Sequence, residues 1–550
     1  MNQLKGLTAL IIDPHPGMRA SLHAMLNLCG LSGIDDAPGA AQAIRQLGAK
    51  RYDLILCEYD LDGGQDGQQM LEDLRHHRLM GAATMFFMVT SEGNFGKVVS
   101  AAELGPTDYI LKPFAADNML ERIGRALDKR NALVPAYQAM ALGDERAAIE
   151  ACLAGAELHP RYATDFNRLR AELHVMLGEA AEAEPIYAAL YEARGIGWAR
   201  LGQAKTLFMR GQHGAAQAML EELVGQNKRF LDAYDWLARS HEAQGQAALA
   251  QGVLSEAVAL SPHAVRRLRR LGEVALEAGD LEGAEKAFKL VVGKAKYSEF
   301  RDPQDHVRLV QTLVQRGDPV QAAAVIRDLD KSLGGHKNSD ACGAIASAML
   351  HDYTGNEQRL RQSLTDAVGA CRDSIGLADG IKMELARNCL QNGMEEGATE
   401  VMREVMRNAA DAVAMGRALA VFERAGRADL GESLAQESRQ SVADMVAAGA
   451  ARAKEGDFRG AVDLMIEAVA KLPDNPQVVF NAAVAVLKCL ENAGWDERLG
   501  QFALTFIGAV RRLDPVNPKL AALSGLHQQI LRKYNIRAGR WKEAPLRAAS

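Results

Sequence analysis

Aromatic residues are scarce, 5% of 550. That argues against a β-sandwich and suits helices rich in Ala and Leu. Long apolar runs are missing too. None reaches the roughly 18 residues that cross a bilayer, so no membrane insertion is expected. The opening MNQLKGLTALIID passes from a short apolar stretch straight into Asp13, which reads as a first strand and not as a signal peptide. The seven cysteines (29, 57, 152, 342, 371, 389, 489) are odd in number and include no C-x-x-C pair. They are expected to be reduced thiols of a cytoplasmic protein, neither a disulfide framework nor a zinc site. His76 and His77 are adjacent. Neighbours on a helix point apart, which favours a solvated helix end over a metal site. A net charge of −6 gives no general attraction to nucleic acid or anionic lipid. What the chain does have is length. At 550 residues it exceeds one core and asks for several domains or a repeat array.

Residues 1 to about 130 alternate short apolar runs with amphipathic stretches. The expected strands are Thr8–Asp13, Gly33–Asp36, Asp53–Glu58, Thr84–Thr90 and Asp108–Leu111, with helices over Met18–Leu28, Ala40–Leu47 and Asp66–Arg75. This alternation implies a parallel sheet covered on both faces. The runs LILC and MFFMV are continuously apolar, as strands buried on both faces require. In such sheets the site lies beyond the C-terminal strand edges, where Asp13 and Glu58 end the first and third strands.

The segments IIDPHPGMR, DLILCE and DYILKPF resemble response-regulator receiver domains. The resemblance implies a five-stranded flavodoxin-like α/β domain over residues 1–131. It also implies phosphoryl transfer onto an Asp at the end of strand three, helped by an acidic pair holding Mg²⁺, a Lys and a switch hydroxyl. Lys112-Pro113, Thr90, Tyr109 and Asp13 match positions of that machinery. Two positions depart from it. Pro14 replaces the second acid of the pair, so Mg²⁺ held by Asp13 and Glu58 is expected to be weak or absent. Glu58 replaces the acceptor, which carries the carboxylate about 1.5 Å farther toward Lys112. In-line attack loses about 10²-fold for an error near 1 Å. Three readings stay open: Glu58 as a fixed mimic of the phosphorylated state, Glu58–Lys112 as a structural ion pair, and Asp60 as a rescue acceptor.

From about residue 136 the strand pattern ends. Gly211, Gly245 and Gly279 fall at 34-residue intervals. Ala216, Ala250 and Ala284 follow at +5, then Leu220, Leu254 and Phe288 at +9, with Ala204, Ala238 and Gly272 at −7. Small residues let paired helices approach, Gly turns the chain, and the large residue fills the gap. These units resemble tetratricopeptide repeats. Weaker units carry Gly143, Gly178, Gly317, Gly355, Gly393, Gly426 and Gly456. The expectation is an all-α solenoid of about ten units over 132–540 and a tail at 541–550. With no Pro- or Ser-rich linker, the junction between the halves is expected to be rigid.

No nucleotide loop, H-E-x-x-H or G-x-S-x-G follows the receiver-like segment, so no enzyme activity and no DNA-binding output are expected. The output is the solenoid, whose groove suits a protein partner. Repeat phase puts Lys205, Arg239, Arg266 and Arg269 in that groove. Arg266-Arg267-Leu268-Arg269-Arg270 reads either as a solvated helix face with Leu268 and Leu271 turned inward or as a site for an acidic peptide. Trp198 and Trp236 are expected to fill core gaps. The whole reads as a two-component signalling adaptor, with a histidine kinase or another signalling protein meeting the receiver. The alternatives are a phosphorylation-dependent regulator using Asp60 and a nucleic-acid-binding solenoid. Oligomeric state is open.

Overall fold

The computed structural model describes residues 4–62, 65–77, 79–91, 106–141, 144–296, 298, 301–374, 376–409, 412–514, 517 and 519–536. Five parallel strands, β1 (Thr8–Ile12), β2 (Gly33–Ala37), β3 (Leu54–Cys57), β4 (Met85–Thr90) and β5 (Asp108–Leu111), form one sheet in the order β2-β1-β3-β4-β5. β3 and β4 are buried throughout, and their unbroken apolar runs feed both faces. Ile55, Cys57, Phe86 and Met88 pack under α2 (Ala40–Ala49) and α3 (Gly67–His76). Leu54, Leu56, Phe87 and Val89 pack under α1 (Pro16–Leu28) and the helix Ala116–Ala141. That last helix runs through position 131 without a break.

The rest of the described chain is helical. Glycines 178, 211, 245, 279, 317, 355, 393, 426 and 456 all have positive φ. Each ends a helix as an αL cap, the conformation in which Gly escapes the Cβ penalty. At Gly245, for example, the N–H of Gln246 returns to the carbonyl of His241 at 2.9 Å. Ala216, Ala250 and Ala284 are fully buried where helices touch, with Leu220, Leu254 and Phe288 beside them. A Cβ at Gly272 would lie 2.8 Å from the Phe288 ring, so the small residue there is a packing requirement. Gly143 and the tail 541–550 lie outside the described residues.

The chain divides into two compact units. The first joins Met1–Tyr137, Ala151–Glu172 and Ala180–Asp305, so the receiver sheet and the clearest repeats share it. The second joins Gln138–Glu150, Leu173–Glu179 and His306–Ser550. Within the second unit the helix Ala428–Lys454 is 27 residues long. It serves as the second helix after Gly426 and the first before Gly456, where the glycine spacing suggests two separate elements. Arg511 pairs with the buried Glu145 at 2.5 Å, again inside the second unit. No helix among the described residues is long and apolar enough to cross a membrane.

Candidate functional site

β1 and β3 are neighbours, with Ile12 opposite Cys57. The residues that follow them, Asp13 and Glu58, therefore emerge together at the C-terminal edge. Both carboxylates are buried, Asp13 at 1% and Glu58 at 7% exposure. β5 delivers Lys112 to the same edge through a cis Lys112–Pro113 bond. Its Nζ donates to Glu58 Oε2 at 2.6 Å and to Asp13 Oδ2 at 2.8 Å. The second oxygen of Asp13 accepts the His15 N–H at 2.8 Å. Glu58 Oε1 accepts the N–H of Tyr59 at 2.6 Å and, at 3.4 Å, that of Asp60. Burial opposes the ammonium of Lys112, but its hydrogen bonds to Asp13 and Glu58 outweigh that and hold its pKa above the usual 10.5.

Thr90 closes β4, fully buried, and its carbonyl accepts the Lys112 N–H at 2.8 Å. Tyr109 is half-buried and packs against the cluster that contains Phe86 and Met88. Asp13, Glu58, Thr90, Lys112 and Pro113 thus lie at one sheet edge, while Tyr109 sits inside β5 opposite Met88. Asp60 stands apart. It is exposed, and its Oδ1 accepts the N–H of Asp62 at 3.3 Å.

The residues present do not fit a resident Mg²⁺. Pro14 supplies no side-chain oxygen, and the Lys112 ammonium already lies against both carboxylates. Among the described residues no group of three or more His, Cys, Asp or Glu could hold a metal ion.

The four predicted groove cations separate into two pairs. Lys205 and Arg239 both stand over the Trp236 ring, at 5.3 and 4.7 Å from its centroid. Arg168 stands over Trp198 at 5.0 Å. Both indoles are half-buried under these cations, and Trp236 also packs, as expected, against the cluster of Leu201, Ala204 and Leu237. Burial pushes the Lys205 pKa down. Arg266 and Arg269 are differently placed. The backbone N–H of Arg266 donates to Glu72 Oε1 at 3.1 Å, and Arg269 makes two bonds to Asp305 at 2.6 and 2.8 Å. The basic run is a solvated face only in part: Arg266 and Arg270 are exposed, Arg270 pairing with Glu242, but Arg267 is buried and makes two bonds to Asp235. Leu268 is buried and Leu271 half-buried, as expected.

Sequence reasoning misses what α3 does. Its apolar residues Met70, Leu71 and Leu74 face the sheet. Its opposite stripe, Gln69, Glu72, Asp73 and His76, lines with Gln65 a cavity of about 310 Å³ whose other wall includes Val265, Arg266, Arg269 and Ser298. The one available signal is the polar spacing at i, i+4 on a helix already committed to the core.

The description "Response regulator receiver domain" fits residues 9–124. The sensory transduction protein LytR of Staphylococcus haemolyticus is 32% identical over 126 residues, 22% of this chain and 44% of that protein. The chain therefore spans less than half the length of that relative. The chemotaxis protein CheY-3 of Vibrio cholerae is 24% identical over 125 residues, 23% of this chain and 95% of that protein. Among solved structures, YrrB, "a TPR protein with an unusual peptide-binding site", covers 34% of this chain and 93% of its own at 14% identity and a TM-score of 0.29. The C-terminal part of a TPR repeat-containing protein from Cytophaga hutchinsonii covers 42% and 94% at 13% identity and a TM-score of 0.34. The N-terminal part of this chain is a response-regulator receiver domain, and it continues into an all-helical region built to the tetratricopeptide period.

Proposed function

We propose that this protein is a non-enzymatic, cytoplasmic adaptor of two-component signalling in which a degenerate receiver governs a tetratricopeptide scaffold for a protein partner. The observation that carries this reading is the position of Glu58. Its longer side chain places one oxygen on Lys112 at 2.6 Å and the other on the Tyr59 N–H at 2.6 Å. The extra methylene carries this negative charge about 1.5 Å farther toward the lysine than an Asp carboxylate would reach, in the direction in which a phosphoryl group on Asp would extend. The neutralised carboxylates and Pro14 leave little for a metal-assisted transfer to use.

The partner side of the proposal rests on Lys205, Arg239 and Trp236, with Arg168 and Trp198 on neighbouring first helices. Cations stacked on indole faces fit an extended acidic segment, whose carboxylates meet the charges while its stems lie on the rings. Affinity capture from the native cell tests both parts. Wild type retains a partner, Glu58→Ala releases it, and Lys205→Glu with Arg239→Glu abolishes capture. Equal capture by wild type and Glu58→Ala makes Glu58 structural only. Intact mass after acetyl phosphate and Mg²⁺ separates the Asp60 alternative: a phosphoryl adduct lost in Asp60→Ala overturns the fixed-charge reading.

A further inference from the structure

We infer that α3 is a latch that docks the receiver on the repeat helix Val265–Glu277, and that the state of the Glu58 loop reaches the repeats through it. The second half of this inference rests on the function proposed above; the docking does not.

The contact is made by polar groups. The helix Val265–Glu277 starts at Ala264, whose methyl cannot cap it, and its first turn holds no acid. Four N–H groups at a helix start need acceptors. Glu72, from α3, supplies one by accepting the Arg266 N–H at 3.1 Å. It also sets a carboxylate at the positive end of the helix dipole. Glu72 thus caps, from another domain, a helix that lacks its own cap. One residue on, Asp73 Oδ2 accepts the Ser298 hydroxyl at 2.5 Å and is also bonded by the Gln65 amide.

The latch is costly to close, which is what makes it switchable. Glu72 is 6% exposed and Gln65 is 3% exposed. Burial pushes Glu72 up to about 7, against the pull of Arg266 and Arg267 and with the push of Asp73. Burial also raises Asp73. The Gln65 Oε1 is buried with no hydrogen-bond partner. Two desolvated acids and an unsatisfied amide oxygen oppose docking, while the trans cap, the Ser298 bond and the covered surface favour it. A balance of this kind shifts with small inputs.

The input side is equally direct. The N–H of Gly67, the first residue of α3, donates to the Tyr59 carbonyl at 2.7 Å. A Cβ at Gly67 would collide with the Glu58 carbonyl. Tyr59 is also the residue whose N–H holds Glu58 Oε1, and its hydroxyl donates to Gln68 Oε1 of α3 at 3.1 Å. The start of α3 is therefore packed on the backbone that fixes the Glu58 carboxylate. A change there tilts α3, and Glu72 and Asp73 ride on α3.

Amide hydrogen exchange on the full chain, read by mass spectrometry over residues 262–272, tests this. At about pH 5, where the Glu72 carboxyl is protonated, Glu72→Ala and Glu72→Lys are expected to speed exchange there about five- to tenfold, the effect of losing a cap. Glu72→Gln keeps an acceptor and is expected to protect as wild type does or better. Glu58→Ala is expected to speed exchange in the same segment. Unchanged protection of β1 and β3 in every variant shows that the fold is intact. No acceleration in Glu72→Ala or Glu72→Lys overturns the latch. Acceleration in those variants but none in Glu58→Ala overturns the signalling route while leaving the docking. Failure of the capture experiment alone would instead count against the proposed function.

Discussion

Glu72 makes the docking of α3 depend on pH with a definite sign. In the docked form its carboxyl is raised from 4.5 to about 7, burial being the main cause. An undocked Glu72 lies in water near the ordinary value. The docked state therefore binds more protons between those limits, and docking weakens as pH rises through the window. The full effect is roughly 3 kcal/mol, from about 1.36 kcal/mol for each pH unit between the two values. It is absent below about 4.5 and complete above about 7. Glu72→Gln removes the titration while keeping an acceptor for the Arg266 N–H. His76 and His77 act in the opposite direction. Burial lowers both, with Arg266 adding to it, so their protonation below 6.5 favours opening. Comparing wild type with Glu72→Gln at each pH cancels this, together with the slope from Asp73, which burial also raises. The assay is exchange over residues 262–272, corrected for the intrinsic pH dependence of exchange. The two proteins should match near pH 4.5, and by about pH 8 the wild type should open on the order of 100-fold more often. Equal opening at that pH refutes the argument, because it would mean that Glu72 is solvated in the working protein.

Three other substitutions probe separate features. Gly67→Ala forces a methyl against the Glu58 carbonyl and should lower thermal stability of the receiver by about 1–3 kcal/mol, read by calorimetry. Arg511→Ala takes the paired guanidinium from Glu145, which is 4% exposed, and should cost about 3–5 kcal/mol in denaturant unfolding, whereas removal of both charges should cost less. Gly272→Leu overpacks the Phe288 ring and should destabilise by about 1–3 kcal/mol, with Gly252→Leu, where nothing crowds the Cβ, as the neutral control.

The strand assignments come within one or two residues because LILC and MFFMV have no alternative to a fully buried sheet. The helix turns are legible because positive φ at 211, 245 and 279 demands Gly, and Gly stands there. The acceptor edge follows from β1 and β3 being adjacent, which the receiver resemblance implies. What stays hidden depends on distant contacts. Glu72 and Arg266 are 194 residues apart, and no local pattern reports such a meeting. The pairing of the basic run is hidden for a related reason. Its carboxylate partners, Asp235, Glu242 and Asp305, lie 28 to 36 residues away on other helices. The tryptophans illustrate a third limit: period locates a large residue on a face but does not say that cations will stack on its ring.

The trans cap on Val265–Glu277 has a consequence for how the chain is made. Synthesis delivers the receiver first, and domains generally fold in the order they emerge, so α3 is expected to stand on its sheet before residue 265 is made. The repeat helix that lacks an acid of its own then finds one already in place. The receiver is in this sense a template for the middle of the solenoid. A chain expressed without residues 1–131 would lack that acceptor, and the Arg266 N–H near the start of Val265–Glu277 would have to find another.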